Sequence, residues 1–180
     1  DNDLRTGPPP LWWPLDHEPL AHCGESAFAY GTEKLMKLAW ILSLASVLPR
    51  PVADQTCLAA TVYLEARSEP AIGQLAVAEV ALRRRENGRW SDDLCKVLTA
   101  RGQFALSTTS QNYDINEVQS WLRAWTIAGT AMNVFALPEP LRMAVVPRAD
   151  HFYSSAIAAP DWAKGPPLAV IGEHSFYAAN

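Results

Sequence analysis

The stretch DQTCLAATVYLEARSE, residues 54–69, carries the strongest structural signals in the chain. Its first residue, Asp54, is a typical N-cap, because a short carboxylate accepts hydrogen bonds from the free backbone N–H groups of a first helical turn. Pro70 follows the stretch directly and disfavours helical geometry at the residue before it. Both ends are therefore marked, and the stretch predicts a helix from Asp54 to Glu69.

Two carboxylates continue the apolar stripe of this predicted helix. At about 100° per residue, Leu58 and Val62 share a face with Glu65 and Glu69. Acidic side chains are rarely buried, and like charges four residues apart repel, so we expect a raised pKa for at least one of the two glutamates. A carboxylic acid that keeps its proton near neutral pH can donate it to a leaving group. An ordinary ion pair with a nearby arginine is the alternative.

Several short motifs follow one another in an order typical of a known family. The run CLAATVYLEARSEPAIGQLAVA, residues 57–78, is similar to the signature of the SleB/CwlJ-type, spore-cortex-lytic cell-wall hydrolases. Later motifs that resemble the family's landmarks are CKVL (95–98), GQF (102–104), HFY (151–153) with Pro160 and Trp162, and IGEHSFY (171–177). This ordered set spans residues 57–177, and residues 1–53 have no part in it.

The resemblance implies a fold, a reaction and a catalytic residue. It implies an α+β, mostly helical, lysozyme-like domain that cleaves the β-1,4 bond between N-acetylmuramic acid and N-acetylglucosamine in peptidoglycan. The family's catalytic glutamate corresponds to Glu65. Lytic transglycosylation is the implied route: one glutamate acts first as acid and then as base, and the muramic 6-hydroxyl attacks to leave a 1,6-anhydro end. We assign Glu69 a supporting role and expect no metal or cofactor.

Polar and aromatic residues inside the matching motifs are candidates for substrate binding. Sugar clefts hold rings against aromatic faces and bind hydroxyl groups with amides and imidazoles. The candidates are Glu69, Gln74, Gln103, Phe104, His151, Tyr153, Trp162, His174 and Tyr177. For the two histidines, the alternative is a strand histidine that bonds a backbone carbonyl.

Three other functions stay open at the level of sequence. A muramidase-type hydrolase needs a second carboxylate, for which Glu69, Asp114 and Glu117 are the nearby candidates. A cell-wall peptidase would use Cys57, at the start of the central helix, as its nucleophile and a histidine of the later motifs as its base. A wall-binding module would keep the fold without turnover.

Length and composition indicate a globular protein without an unusual partner. At 180 residues and 19.8 kDa, with 49% hydrophobic and 19% charged residues, the chain can bury about two thirds of its unfolded surface. The net charge of −4 and the isoelectric point of about 5.5 indicate no basic face, so we expect no nucleic-acid partner. We expect a monomer that binds peptidoglycan glycan strands.

Residues 1–53 are predicted to precede the catalytic domain, which would span residues 54–180. Residues 1–31 are proline-rich and indicate an extended arm, and Thr32 can cap an apolar helix over Leu35–Leu48. Fourteen apolar residues are too few to span a bilayer comfortably, so we favour a core helix over a retained export signal or a membrane contact.

The compartment and the state of the three cysteines are linked. We expect the protein to be exported and to act in the periplasm or cell wall, as a bacterial enzyme or as a phage endolysin. In an oxidising compartment Cys57 and Cys95 can pair and leave Cys23 free, whereas in the cytosol all three would be buried thiols.

Further elements follow from periodicity and turn residues. One predicted helix is Ala71–Glu86, closed by Gly88. A short helix runs from Ser91 to Leu98, with a hydrophobic staple between Trp90 and Cys95. A third helix is capped by Asn116 and Gln119, and its inward stripe consists of Val118, Trp121, Leu122, Trp125 and Ala128. Residues 99–115 indicate a polar loop. The predicted strands are Met143–Val146, Asp150–Ser155 and Ala169–Tyr177, in one small antiparallel sheet near the C-terminus.

Overall fold

A computed structural model describes residues 36–89 and 91–178 of the chain. The helices are α1 (Leu38–Val47), α2 (Arg50–Ala66), α3 (Ala71–Glu86), α4 (Leu94–Thr99) and α5 (Val118–Phe135). The strands are β1 (Met36–Lys37), β2 (Asp114–Ile115), β3 (His151–Ser154), β4 (Ala169–Ile171) and β5 (His174–Tyr177), and short 3-10 helices cover Ala105–Ser107 and Glu139–Leu141. The predicted mostly helical α+β class is confirmed.

Several predictions fall outside the described residues. They are the proline-rich arm, the cap at Thr32, the free Cys23 and the hydrophobic staple from Trp90. The described residues all belong to one compact unit. The expected boundary between residues 53 and 54 falls inside α2, so the apolar helix α1 and the residues that follow it share one core.

Helix α2 is the centre of the core, as its sequence predicts, but both of its ends differ from the prediction. It begins at Arg50, because Pro51 is tolerated in a first turn, where its missing N–H costs no hydrogen bond. Asp54 is therefore inside the helix and buried, 3.7 Å from the Arg85 guanidinium. The helix ends at Ala66, so Glu69 lies in the following turn and not on the helical stripe.

Helix α3 has the bounds that the sequence predicts. Pro70 is its N-cap, and Gly88 follows it at a φ of 65°, the left-handed conformation in which glycine commonly closes a helix. The α2–α3 hairpin places the end of α2 beside the start of α3. A disulfide between Cys57 and Cys95 joins α2 to α4, which Asp93 caps in place of Ser91.

Helix α5 packs on α2 and α3 through a face of small residues, which differs from the predicted stripe. Its buried residues are Ala124, Ala128, Ala131 and Phe135. Val118 and Leu122 are exposed and the two tryptophans are only partly buried, because the small alanine face lets the helix axes approach closely. Glu117 precedes the helix without a side-chain capping bond, so the predicted cap at Asn116 was wrong.

Helix α1 packs against α2 through Leu38, Ile41 and Ala45, which confirms the predicted core helix. Strand β1, just before α1, pairs antiparallel with the distant β2, and the sequence did not predict this two-stranded sheet. Among the described residues, no helix combines the length and apolar character needed to cross a bilayer.

The C-terminal sheet has the strand order β3-β5-β4, and both strand pairs are antiparallel. The predicted strand Met143–Val146 was wrong. The N–H groups of Val145 and Val146 donate to the buried carboxylate of Glu79, at 2.9 to 3.4 Å, and this carboxylate replaces a partner strand. The segment is held to α3. The predicted single strand Ala169–Tyr177 is divided by a turn at Gly172 into β4 and β5, so this sheet has three strands.

Candidate active site

A cleft of about 370 Å³ lies between the helices and the C-terminal sheet. One side, called the helical wall, consists of Glu65, Ser68, Glu69, Arg84 and Gln103. The other side, called the sheet wall, consists of Phe152, Tyr153, Ser154, Ile157, Pro160, Trp162, Glu173 and His174. The cleft thus brings together residues from five separate segments of the chain.

Glu65 lies in the last turn of α2 and is partly buried at the cleft. Its Oε1 accepts a hydrogen bond of 2.5 Å from the backbone N–H of Ala105. Burial raises the pKa of the Glu65 carboxyl group, while this N–H and the nearby Arg84 guanidinium partly lower it. The result is a carboxyl group with a raised pKa, fixed through one oxygen, in a cleft that solvent reaches.

Glu69 lines the same cleft but is engaged by the sheet. Its carboxylate accepts from the backbone N–H of Glu173 at 3.2 and 3.4 Å and lies 3.8 Å from Nδ1 of His174. A Cβ atom at Gly172 would overlap Glu69 Oε2, so the turn between β4 and β5 fits closely around this carboxylate. The alternative of an ion pair between Glu69 and a nearby arginine is not met by Arg67, which binds Glu117 at 3.1 Å.

His174 is buried behind Glu69 and packs against an aromatic ring. Its exposed fraction is 4%, and the ring meets Phe152 edge-on at 5.1 Å. Burial lowers the pKa of the imidazole, and Glu69 and Glu173 offset only part of this effect. Near neutral pH the imidazole is therefore uncharged and can exchange hydrogen bonds with a neutral ligand.

Aromatic rings give the sheet wall its shape. Tyr153 stacks on Tyr177 at 5.9 Å, and Trp162 meets Tyr177 edge-on at 5.8 Å and lies 5.0 Å from His151. Trp162 stays 44% exposed at the cleft. Such a fixed ring with one open face is the kind of surface on which a sugar ring packs.

Comparison with known proteins identifies the family. A family model described as Cell Wall Hydrolase matches residues 68–177, more than half of the chain. The chain belongs to the cell wall hydrolase family. Among solved structures, the catalytic domain of the Bacillus cereus SleB protein matches with a TM-score of 0.55 and 25% sequence identity, over 69% of this chain and 88% of that chain. A comparison with curated proteins gave no match.

These findings confirm the resemblance read from the motifs and the lysozyme-like α+β fold that it implied. This cell wall hydrolase is an enzyme that degrades peptidoglycan. The matched range begins at Ser68, three residues after Glu65, so the assignment of Glu65 depends on the quoted motif and on the geometry of the cleft.

The predicted site residues of the hydrolase fall into two layers. The residues that line the cleft are Glu65, Glu69, Gln103, Tyr153, Trp162 and His174. The remaining four, Gln74, Phe104, His151 and Tyr177, lie behind them. Gln74 is 1% exposed and donates to the Glu69 carbonyl at 3.0 Å, and Tyr177 supports Tyr153. The second layer therefore supports the residues of the first.

Arg84 is a cleft residue that the sequence did not single out. It is buried, and it donates to the backbone carbonyls of Asp150 and Gln103 at 2.7 and 3.0 Å. The run of arginines 83–85 near a helix end indicates only a complement to the helix dipole. Glu173 was also missed, although it stands inside the motif IGEHSFY.

The structure removes the nucleophile of the peptidase alternative and two of the three carboxylates considered for the muramidase-type hydrolase. Cys57 is 1% exposed and bound in the disulfide, so it provides no thiolate for a peptidase. Asp114 binds Lys37 at 2.7 Å and Glu117 binds Arg67, and neither carboxylate lines the cleft. Glu69 and Glu173 are the carboxylates that share the cleft with Glu65.

Proposed function

We propose that this cell wall hydrolase cleaves the β-1,4 bond between N-acetylmuramic acid and N-acetylglucosamine as a lytic transglycosylase, with Glu65 as general acid and base. The observation that carries the proposal is the Glu65 carboxyl group, partly buried in the cleft with a raised pKa. A general acid needs a pKa near the working pH, so that it holds a proton and can also release it.

Glu65 would act in two steps. It first gives its proton to the glycosidic oxygen as the bond to the anomeric carbon breaks and positive charge develops on the sugar. The resulting carboxylate then takes the proton of the muramic 6-hydroxyl group while that oxygen bonds to the anomeric carbon. The proton returns to Glu65, and the glycan keeps a 1,6-anhydro end. Ala105 N–H and Arg84 favour the intermediate carboxylate.

The surroundings of Glu69 support a route with one glutamate. Its carboxylate is buried and accepts a hydrogen bond from the Glu173 N–H, so it holds the sheet against the helices. The second candidate is a muramidase-type hydrolase, and the placement of Glu69 and Glu173 in the same cleft favours it. The two reactions differ in their products.

Mass spectrometry of the products from purified sacculi tests the proposal. We expect soluble muropeptides with 1,6-anhydromuramic ends from the wild type and none from Glu65→Gln. Reducing ends would replace the transglycosylase by the hydrolase, and free stem peptides would exclude both. Binding to sacculi without any release would overturn the enzymatic assignment and favour an inert wall-binding module.

We also propose that the protein acts outside the cytosol, in the periplasm or cell wall. The disulfide between Cys57 and Cys95 supports this compartment, because such bonds persist where the surroundings are oxidising. Thiol labelling of protein recovered from the periplasm tests it: a pair protected from labelling until a reductant is added is expected, and a pair already labelled would contradict it.

A further inference from the structure

Arg84 connects three segments of the chain at the cleft. It extends from α3, and its Nε donates to the carbonyl of Asp150, just before β3, at 2.7 Å. Its Nη1 donates to Gln103, to the backbone carbonyl at 3.0 Å and to the side-chain oxygen at 3.3 Å. The Cζ atom of the guanidinium group also lies 4.7 Å from the centre of the Phe104 ring.

These contacts lead directly to Glu65. Arg84 holds residue 103 by hydrogen bonds and residue 104 by a cation–π contact. The next residue, Ala105, donates its N–H to Glu65 Oε1. Three consecutive residues, 103–105, thus lie between the guanidinium group and the Glu65 carboxyl group and contact one or the other.

We propose that Arg84 is the positioning residue that holds residues 103–105 against Glu65, so that Oε1 stays bound and Oε2 alone carries the proton to the substrate. The inference rests on the proposed role of Glu65.

The charges around this arrangement determine how it responds to pH. Arg84 is the cation beside Glu65, and Asp150 lies near the guanidinium group. Across the cleft, the sheet side holds Glu173 and His174, with Glu69 between them and the helices. Among the described residues that line the cleft, removal of this cation leaves groups that are negative or uncharged around Glu65, so the pKa of its carboxyl group should rise.

Two substitutions separate the charge of Arg84 from its shape. Arg84→Met removes both, whereas Arg84→Lys keeps the charge but cannot bond two carbonyls in fixed directions. The matched control is Arg83→Met: Arg83 also binds a backbone carbonyl, that of Ala149 at 2.6 Å, and the Glu79 carboxylate, yet it lies outside the cleft. A general loss of stability affects Arg83→Met as well.

Two quantities are measured. The first is the release of muropeptides against pH. The second is the pKa of the Glu65 carboxyl group, followed through the ¹³C resonance of its carboxyl carbon, which the Glu65→Gln variant assigns. We expect Arg84→Met to lower kcat about a hundredfold with KM little changed and to move the alkaline limb of the profile to higher pH. Arg84→Lys should lower kcat while the limb stays in place. Arg83→Met should keep both kcat and the profile of the wild type.

An unmoved profile and an unmoved Glu65 pKa in Arg84→Met would overturn the proposal and leave Arg84 a purely structural residue. Equal losses of kcat in Arg84→Met and Arg83→Met would do the same. The NMR titration needs no turnover, so it tests the role of Arg84 even where the wild type releases no anhydro product. The absence of an anhydro product would contradict the transglycosylase reaction but not the role of Arg84.

Discussion

The two walls of the cleft are built in different ways. On the helical wall, hydrogen bonds fix charged side chains: Glu65 is bound by a backbone N–H, and Arg84 is bound by two carbonyls. On the sheet wall, rings support one another: Tyr153 stacks on Tyr177, and Trp162 meets both. Charge is concentrated on the first wall and exposed aromatic surface on the second.

This difference separates the chemical step from binding. Proton transfer needs a donor held within tenths of an ångström, which directional hydrogen bonds provide. Packing against a sugar needs area and a fixed plane, which stacked rings provide. Substitutions on the helical wall should therefore change kcat, and substitutions on the sheet wall should change KM.

The largest effect is expected on the helical wall. Glu65→Gln should lower the rate of muropeptide release at least about a thousandfold, because the amide has no proton to donate. Binding to sacculi, measured by co-sedimentation, should be retained. Glu69→Gln is the matched control and should lose less than about tenfold, because its carboxylate binds the sheet. Equal losses in the two variants would contradict the assignment of one acid.

A substitution in the turn of the sheet tests the contact between the two walls. Gly172→Ala places a Cβ atom on Glu69 Oε2 and strains a residue with φ of 56°, so we expect a fall of about 3 kcal/mol in the free energy of unfolding. Gly165→Ala has the same kind of strain, at φ of 76°, with no atom within 4 Å of the added Cβ.

Urea denaturation of both glycine variants measures the difference. Gly165→Ala should lose about 1 kcal/mol, and Glu69→Ala added to Gly172→Ala should recover part of the larger loss. Equal losses in the two glycine variants would show that backbone strain alone decides the effect and that the fit around Glu69 is loose.

The exposed tryptophan tests the sheet wall. Trp162→Ala should raise KM about fivefold with little change in kcat, because a ring face worth about 1 kcal/mol is lost from the binding surface. Trp40→Ala, which removes a 66% exposed tryptophan of α1 away from the cleft, is the control and should leave KM unchanged. A fall in kcat alone for Trp162→Ala would remove the division between the walls.

The smallest effects concern stability against pH, and the two walls should respond in opposite directions. The pKa of Glu65 is raised on folding, so its contribution to stability is lost as pH rises through the folded-state value. The pKa of His174 is lowered, so its contribution is lost as pH falls below about 6.5. Denaturation between pH 4 and 8 should show that Glu65→Gln removes the first loss and His174→Gln the second. Parallel curves for wild type and variants would contradict both shifts.

An element was predicted with correct bounds where the sequence carries a stop or start signal at both of its ends. Pro70 and Gly88 bound α3, and its limits agree with the structure. Asp54 resembles a cap, yet α2 continues four residues further toward the N-terminus because proline is accepted in a first turn. Residues 143–146 have the pattern of a strand, and only the distant Glu79 carboxylate explains why they are not one.

The sequence predicted those cleft residues whose role follows from the residue type alone. It missed the residues whose role depends on contacts made in the folded chain. Glu65, Tyr153 and Trp162 stand in motifs with acids and rings, and they line one cleft. Arg84 looks like any arginine near a helix end, because its partners are carbonyls of residues 103 and 150. Every residue has a backbone carbonyl, so the sequence contains no signal for a hydrogen bond to one.

The hydrogen bond from Ala105 to Glu65 determines which substitutions position 105 can accept. Its donor belongs to the main chain, so every residue type except proline supplies it, and codon changes at position 105 leave it in place. Proline would fit there, because Ala105 opens a 3-10 turn and Phe104 before it is extended. Among the substitutions possible at position 105 itself, proline alone therefore removes the donor of this hydrogen bond.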